Sequence, residues 1–220
     1  MHNDWGNIWV FIIKIPLSAL ALALTLGSVE DAYVLPFYIL FFSCIVHTPV
    51  SILYHVFMCV SPKVKLAWNR ADYAMIFVMI MMITFALGYF PFYYYPRIQI
   101  AQLVCCGIAA LANIILALSP WYVKAYETRV LRTILSGIVI IIALFPVFFS
   151  IGIKYPALYG LGACVSYAIG GLVWVFHIPE RFVPYLFDNN INSHALMHVC
   201  IVVSHLLFYM FVFRGYQHHA

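Results

Sequence analysis

The last long apolar stretch of the chain begins at Ser193–His198, with the sequence Ser-His-Ala-Leu-Met-His, and continues to Phe213. About 20 apolar residues are enough for a helix to cross a membrane, so this stretch predicts a spanning helix. Its histidines, His194 and His198, are four residues apart and therefore lie one above the other on a single helix face. Ionisable groups inside a membrane span are costly, which makes this pair the first functional candidate.

The composition of the whole chain supports the same fold class. Of its 220 residues, 66% are hydrophobic and only 8% are charged, whereas soluble domains carry about 25% charged residues. This balance excludes a soluble globular domain and predicts an integral, multi-pass protein of the plasma membrane or an internal membrane. We expect a single domain over residues 1–220. The sequence contains no Walker loop, Rossmann fingerprint or nucleic-acid-binding patch.

Seven apolar stretches are long enough to span a bilayer. They are Ile8–Ser28, Val34–Val60, Tyr73–Phe92, Ile98–Leu118, Thr133–Ile153, Tyr155–His177 and Asn192–Phe213. The first one lacks the basic leader and the small-residue cleavage site of a secretory signal, so we expect it to be retained as a span. The predicted fold is an all-α, seven-transmembrane helix bundle.

The distribution of lysine and arginine predicts the orientation of this bundle, because cytoplasmic loops are enriched in both residues. With a cytoplasmic N-terminus, the inner loops carry seven such residues, Lys63, Lys65, Arg70, Lys124, Arg129, Arg132 and Arg181. The outer segments then carry three, Arg97, Lys154 and Arg214. We therefore predict a cytoplasmic N-terminus and a C-terminus on the opposite side. Lys14, inside the first span, is expected to reach the inner surface with its long side chain.

This topology brings polar residues from three spans to similar depth. His55 lies near the inner end of the second span, and Asp72 opens the third span at the inner boundary. His194 opens the seventh span, with His198 one turn deeper. We expect these four side chains to meet on the cytoplasmic side. His47 and His205, which lie further from that boundary, are assigned to packing between helices, and His177 is a reserve ligand.

Three neutral imidazoles suit a zinc ion that keeps one open position, and such a site lowers the pKa of bound water. Asp72 would be a ligand, a partner of the water or a general base. Ser51, one turn from His55, either hydrogen-bonds that water or bonds the backbone of its own helix. The competing interpretation is that the histidines only anchor the spans at the membrane surface.

Several short motifs in order resemble the progestin and adipoQ receptor (PAQR) family, which includes adiponectin receptors and haemolysin-III-like proteins. The motifs are Asn3–Trp9, Ser51–His55, Asp72–Tyr73, Ile178–Phe182, Phe187–Asp188 and Ser193–Val199. The resemblance implies seven helices and a zinc ion bound by His55, His194 and His198, with Asp72 and Ser51 beside it. One departure is Phe11, which stands where the family pattern has a histidine.

The resemblance leaves more than one function open. Some family members are described as ceramidase-like amide hydrolases, which predicts a ceramide-like lipid substrate. Others are hormone receptors, in which the zinc would be structural and no turnover would occur. A third function, perturbation of the bilayer as in haemolysins, is disfavoured because the spans show no polar stripe suited to a pore.

Overall fold

The computed structural model describes residues 5–119, 129–153, 156–183 and 192–219. Regular structure in these ranges is helical: α1 (Trp5–Leu26), a 3-10 turn (Asp31–Tyr33), α2 (Leu35–Phe57), α3 (Pro62–Gly88), α4 (Pro96–Leu118), α5 (Arg129–Ala143), α6 (Phe145–Gly152), α7 (Leu158–Val175) and α8 (Ser193–His219). Seven segments are long and apolar enough to cross a membrane, with α5 and α6 together forming one of them. The predicted all-α, seven-span class is confirmed. Asn3, Asp4, Lys124, Lys154, Phe187 and Asp188 lie outside the described residues.

The start of α3 differs from the prediction. The helix begins at Pro62, and the side chain of Ser61 caps it by accepting a hydrogen bond from the Val64 N–H at 3.3 Å. A serine cap followed by proline is a strong helix start, even where the first turns are polar. Asp72 therefore does not open the third span: it lies ten residues into α3, about 15 Å from its start.

A proline divides the fifth span into α5 and α6. Pro146 has no N–H, so the carbonyl group of Ile142 loses the partner that an uninterrupted helix would supply. The side chain of Gln102, on α4, donates to this carbonyl at 3.1 Å and lies 3.4 Å from the carbonyl oxygen of Ala143. Backbone groups inside a bilayer must find protein partners, and here a neighbouring helix supplies one.

Helices α7 and α8 are in close contact along a line of small residues. A Cβ atom on Gly170 would lie 2.8 Å from the Cβ of Cys200, closer than side chains approach one another. The hydroxyl of Ser166 donates to the carbonyl of Cys200 at 2.9 Å, and that of Ser204 donates to the carbonyl of Ala163 at 3.0 Å. Small residues and interhelical hydrogen bonds are the usual means of helix association in membranes. They hold α7 against one side of α8, whose other contacts are with α1, α2 and α3.

Candidate metal centre

The structure brings the three predicted imidazoles together. One ring nitrogen from each of His55, His194 and His198 lies within 4.8 Å of the others. The ring centroids of His55 and His194 are 5.2 Å apart, and those of His194 and His198 are 4.6 Å apart. His55 comes from the last turn of α2, whereas the other two come from the first two turns of α8. Within the described ranges, no other set of His, Cys, Asp and Glu side chains has this spacing.

The ring of His198 supports a metal at this position, because its side chain is buried and both of its nitrogens lack a hydrogen-bond partner among the described residues. Buried polar atoms in proteins are nearly always paired with something. The donor set of neutral imidazoles, with a buried ring whose nitrogens are unsatisfied, fits a transition metal that prefers nitrogen ligands.

The start of α8, which presents two of the imidazoles, is held by side chains from outside the helix. A carboxylate oxygen of Glu180 accepts from the backbone N–H of Ser193 at 2.7 Å and from its hydroxyl at 2.8 Å. Asn192 accepts from the N–H of Ala195 at 2.9 Å. These contacts satisfy N–H groups that a helix start leaves unpaired. Glu180 belongs to the Ile178–Phe182 motif, but this role was not predicted, because its partner is 13 residues away.

The same contacts favour the charged form of the Glu180 carboxyl group. Partial burial raises the pKa of its carboxyl group, but the hydrogen bonds from Ser193 lower it by more, so the pKa lies below its ordinary value. The carboxylate is thus the form that holds the start of α8 at neutral pH. A negative charge at this end of a helix is also favoured by the helix dipole.

Asp72 is an electrostatic neighbour of His55, but the histidine that it contacts was not expected. A carboxylate oxygen of Asp72 is 3.4 Å from Nε2 of His47, and both side chains are largely buried. His47 is eight residues before His55, or about 12 Å along α2. Asp72 and His47 therefore face each other across the interface between α3 and α2. His47 stays outside the imidazole group, as expected, and its interhelical contact is with this carboxylate.

Ser51 lies on α2 between His47 and His55, and its hydroxyl faces the carboxyl group of Asp72. The hydroxyl is buried and has no partner in hydrogen-bond geometry among the described residues. It therefore does not bond the carbonyl of its own helix, as Thr84 and Ser204 do at 2.7 Å and 2.9 Å. Of the two roles that the sequence left open for Ser51, the structural one is not found.

Phe11 occupies the centre of this region. Its ring centroid is 4.4 Å from that of His198, 5.8 Å from that of His47 and 6.2 Å from that of His55. The side chain is only 2% exposed. The position at which the chain departs from the PAQR pattern therefore contacts both the imidazole group and His47 with an apolar ring.

Comparison with known proteins decides the family. The model of a family described as "Haemolysin-III related" matches residues 1–209. The chain belongs to this family. The resemblance drawn from the short motifs is confirmed, and the protein is an integral, multi-pass membrane protein.

Curated relatives of this haemolysin-III-related chain are plant, insect and fungal proteins. It is 29% identical to Heptahelical transmembrane protein 3 of Arabidopsis thaliana over 74% of the chain and 48% of that protein. It is 30% identical to Heptahelical transmembrane protein ADIPOR3 of Oryza sativa subsp. japonica, over 68% and 39%. It is 22% identical to the Adiponectin receptor protein of Drosophila melanogaster, over 95% and 50%. The chain spans half or less of the length of these relatives.

Two further expectations for this haemolysin-III-related protein concern residues away from the imidazoles. Lys14 does not reach the membrane surface, because its side chain is 1% exposed and lies inside the bundle. His177 is exposed and does not join the three imidazoles. It lines a surface pocket of about 450 Å³, together with Val175, Phe176, Glu180 and Arg181. The pocket shares Glu180 with the start of α8, but none of the three imidazoles lines it.

Proposed function

We propose that this protein is a zinc-dependent hydrolase that cleaves a ceramide-like lipid amide. The observation that carries the proposal is the convergence of three imidazoles within 4.8 Å, with a largely buried acid, Asp72, as an electrostatic neighbour of His55. A metal site with three protein ligands is typical of catalytic zinc, since structural zinc usually has four. No fourth ligand from the described part of the chain joins the group.

The proposed zinc ligands are His55, His194 and His198. When bound, a zinc ion in such a site polarises a carbonyl group and makes water a good nucleophile near neutral pH. Glu180 supports the site indirectly, because it holds the helix start that presents His194. Ligand positions set by helix ends and capping contacts need little rearrangement to bind a metal.

The chain's own residues then account for the proton movements. Asp72 takes the proton of the attacking water, and His47, at 3.4 Å, orients its carboxylate. The water oxygen bonds to the amide carbon, the bond from carbon to nitrogen breaks, and the proton passes to the leaving amine. The products are a fatty acid and an amine. The buried hydroxyl of Ser51 can donate a hydrogen bond to the substrate or the water.

The position of the imidazoles supports a lipid amide as substrate. His55 lies two residues before the end of α2, and His194 is the second residue of α8. The site is therefore near one end of the spanning helices, at the depth where the headgroup of a lipid joins its acyl chains. A lipid entering the bundle here would place its amide linkage, rather than its hydrocarbon tail, beside the imidazoles.

A receptor is the second candidate function. One relative is named as an adiponectin receptor, and the chain covers 50% of that protein. In a receptor the zinc would hold α2 against α8, and ligand binding would change the packing of the helices. Asp72 would then have no catalytic role.

Release of fatty acid from a panel of ceramides by the purified, zinc-loaded protein tests the proposal. We expect turnover that is lost when a chelator removes the zinc and returns when zinc is restored. The matched control is Asp31→Asn, an exposed acid that should behave as wild type. Full zinc content without any fatty-acid release would reject the hydrolase and leave the receptor.

A further inference from the structure

Lys14 is a buried lysine in the middle of α1. It is the tenth residue of the helix, about 14 Å from its start, and its side chain is 1% exposed. Lysine is almost never fully buried unless its charge is paired. Its ammonium group has three N–H donors. Among the described residues its one hydrogen-bond partner is a weak acceptor, the sulfur of Met79 at 3.9 Å.

No carboxylate in the described ranges offsets this charge. The acids there are Glu30, Asp31, Asp72 and Glu180. The first two are exposed beyond the C-terminal end of α1, whereas the last two face His47 and Ser193. A buried charge without a counter-ion is strongly destabilising. Intramembrane charges are paired as a rule, so a partner for Lys14 is expected among the groups around it.

Three more buried polar atoms in the same helix interface lack a hydrogen-bond partner among the described residues. They are the hydroxyls of Ser18 and Tyr209 and Nε2 of His205. Lys14 and His205 are electrostatic neighbours, and the rings of His205 and Tyr209 are 5.6 Å apart.

The helix register places these groups together. α1 and α8 pack against each other and, as the first and last of seven spans, run in the same direction. Ser18 lies one turn beyond Lys14, as Tyr209 lies one turn beyond His205. The backbone carbonyl of Leu40, on α2, binds the ring of His205 and holds it in this interface.

We propose that Lys14, Ser18 and Tyr209 bind one small, singly charged anion inside the bundle. An ammonium and two hydroxyls supply donors to an anion, and hydrogen bonds to charged groups are the strong ones. The positive charge makes the site unsuited to a metal cation. Lys14 is an electrostatic neighbour of His198 as well as of His205. The site nevertheless shares no ligand with the imidazole group, and Tyr209 lies eleven residues, or about 16 Å, beyond His198 along α8.

The chemistry of the ligand is that of a chloride ion or a carboxylate. Free chloride is one source, and the carboxylate of a fatty acid is another. Both would offset the charge of Lys14 and accept hydrogen bonds from the two hydroxyls. Two radiolabelled probes, chloride and a long-chain fatty acid, distinguish these sources.

The experiment is equilibrium dialysis of the purified full-length chain against each probe. We expect about one anion per chain, with binding weakened at least tenfold in Lys14→Met, since a charged partner is lost. Lys65→Met, at an exposed lysine of α3, is the matched control and should bind as wild type. Chloride binding identifies a free-ion site, whereas binding of the fatty acid alone identifies a lipid carboxylate.

Three further variants test the same anion site if Lys14→Met does not fold. Met79→Glu would place a carboxylate beside Lys14 and should abolish anion binding while zinc content is kept. Tyr209→Phe and Ser18→Ala each remove one donor and should weaken binding roughly three- to tenfold. The proposal is overturned if neither probe binds wild type, or if binding is unchanged in the folded variants.

Discussion

Helix α8 contributes to two buried polar groups that differ in chemistry. At its start, His194 and His198 join His55, and their nitrogens converge within 4.8 Å. About 10 Å further along, His205 is an electrostatic neighbour of Lys14, and its ring is 5.6 Å from that of Tyr209. Neutral imidazoles that converge favour a metal cation, whereas an ammonium repels one and favours an anion. Burial of a histidine on a helix therefore does not by itself identify a metal site. The atoms around the imidazole determine whether the site suits a metal cation or an anion.

Removal of one imidazole from each group should give the largest difference in zinc content. We expect His198→Ala to reduce zinc from about one per chain to less than a tenth, since two ligands remain of three. His205→Ala is the matched control on the same helix and should keep its zinc. Mass-spectrometric metal analysis of both purified variants measures the difference. Equal zinc content in wild type, His198→Ala and His55→Ala would rule out the proposed ligands.

Asp72→Asn tests whether the acid near the imidazoles serves chemistry or ligand orientation. A general base should reduce turnover by about 100-fold or more while zinc content and fold are kept. His47→Gln, which only removes the partner of that carboxylate, should have a smaller effect. If Asp72 instead orients a ligand, zinc affinity should fall roughly 10- to 100-fold. Zinc occupancy and fatty-acid release measured on one sample separate these results.

Gly170→Ala should separate α7 from α8 near the imidazole group. The added Cβ would lie 2.8 Å from Cys200, which is two residues from His198. Overpacking of this kind costs about 1–3 kcal/mol. We expect a lower thermal unfolding midpoint and weaker zinc binding. Gly171→Ala is the control, because nothing lies within 4 Å of its added Cβ, and the variant should match wild type. Equal effects of the two substitutions would show that the contact is unimportant.

Glu180→Gln should have the smallest effect. It keeps the shape of the side chain but removes the charge that accepts two hydrogen bonds from Ser193. Loss of such a helix-start contact costs about 1 kcal/mol. Zinc affinity should fall less than tenfold, and anion binding at Lys14 should not change. A double-mutant cycle with Ser193→Ala measures the coupling, and strictly additive effects would contradict a direct contact.

The seven spans were predictable because bilayer thickness sets the number of apolar residues that a helix needs. The approach of His55 to His194 and His198 was also predictable, since depth follows from the position of each residue in its span. The start of α3 at Ser61 and Pro62 was not predicted, because the spans were placed by hydrophobicity and the first turns of this helix are polar. The cytoplasmic position of the N-terminus stays a prediction from the charge count.

By itself, the sequence determined which residues enter the membrane and about how deep each one lies. Only the tertiary structure decided which way each helix is turned about its axis. That rotation places Lys14 inside the bundle rather than at the surface, and it pairs Asp72 with His47. Composition along a span cannot show it, because rotation depends on the packing of neighbouring helices, such as the close contact of Gly170 with Cys200.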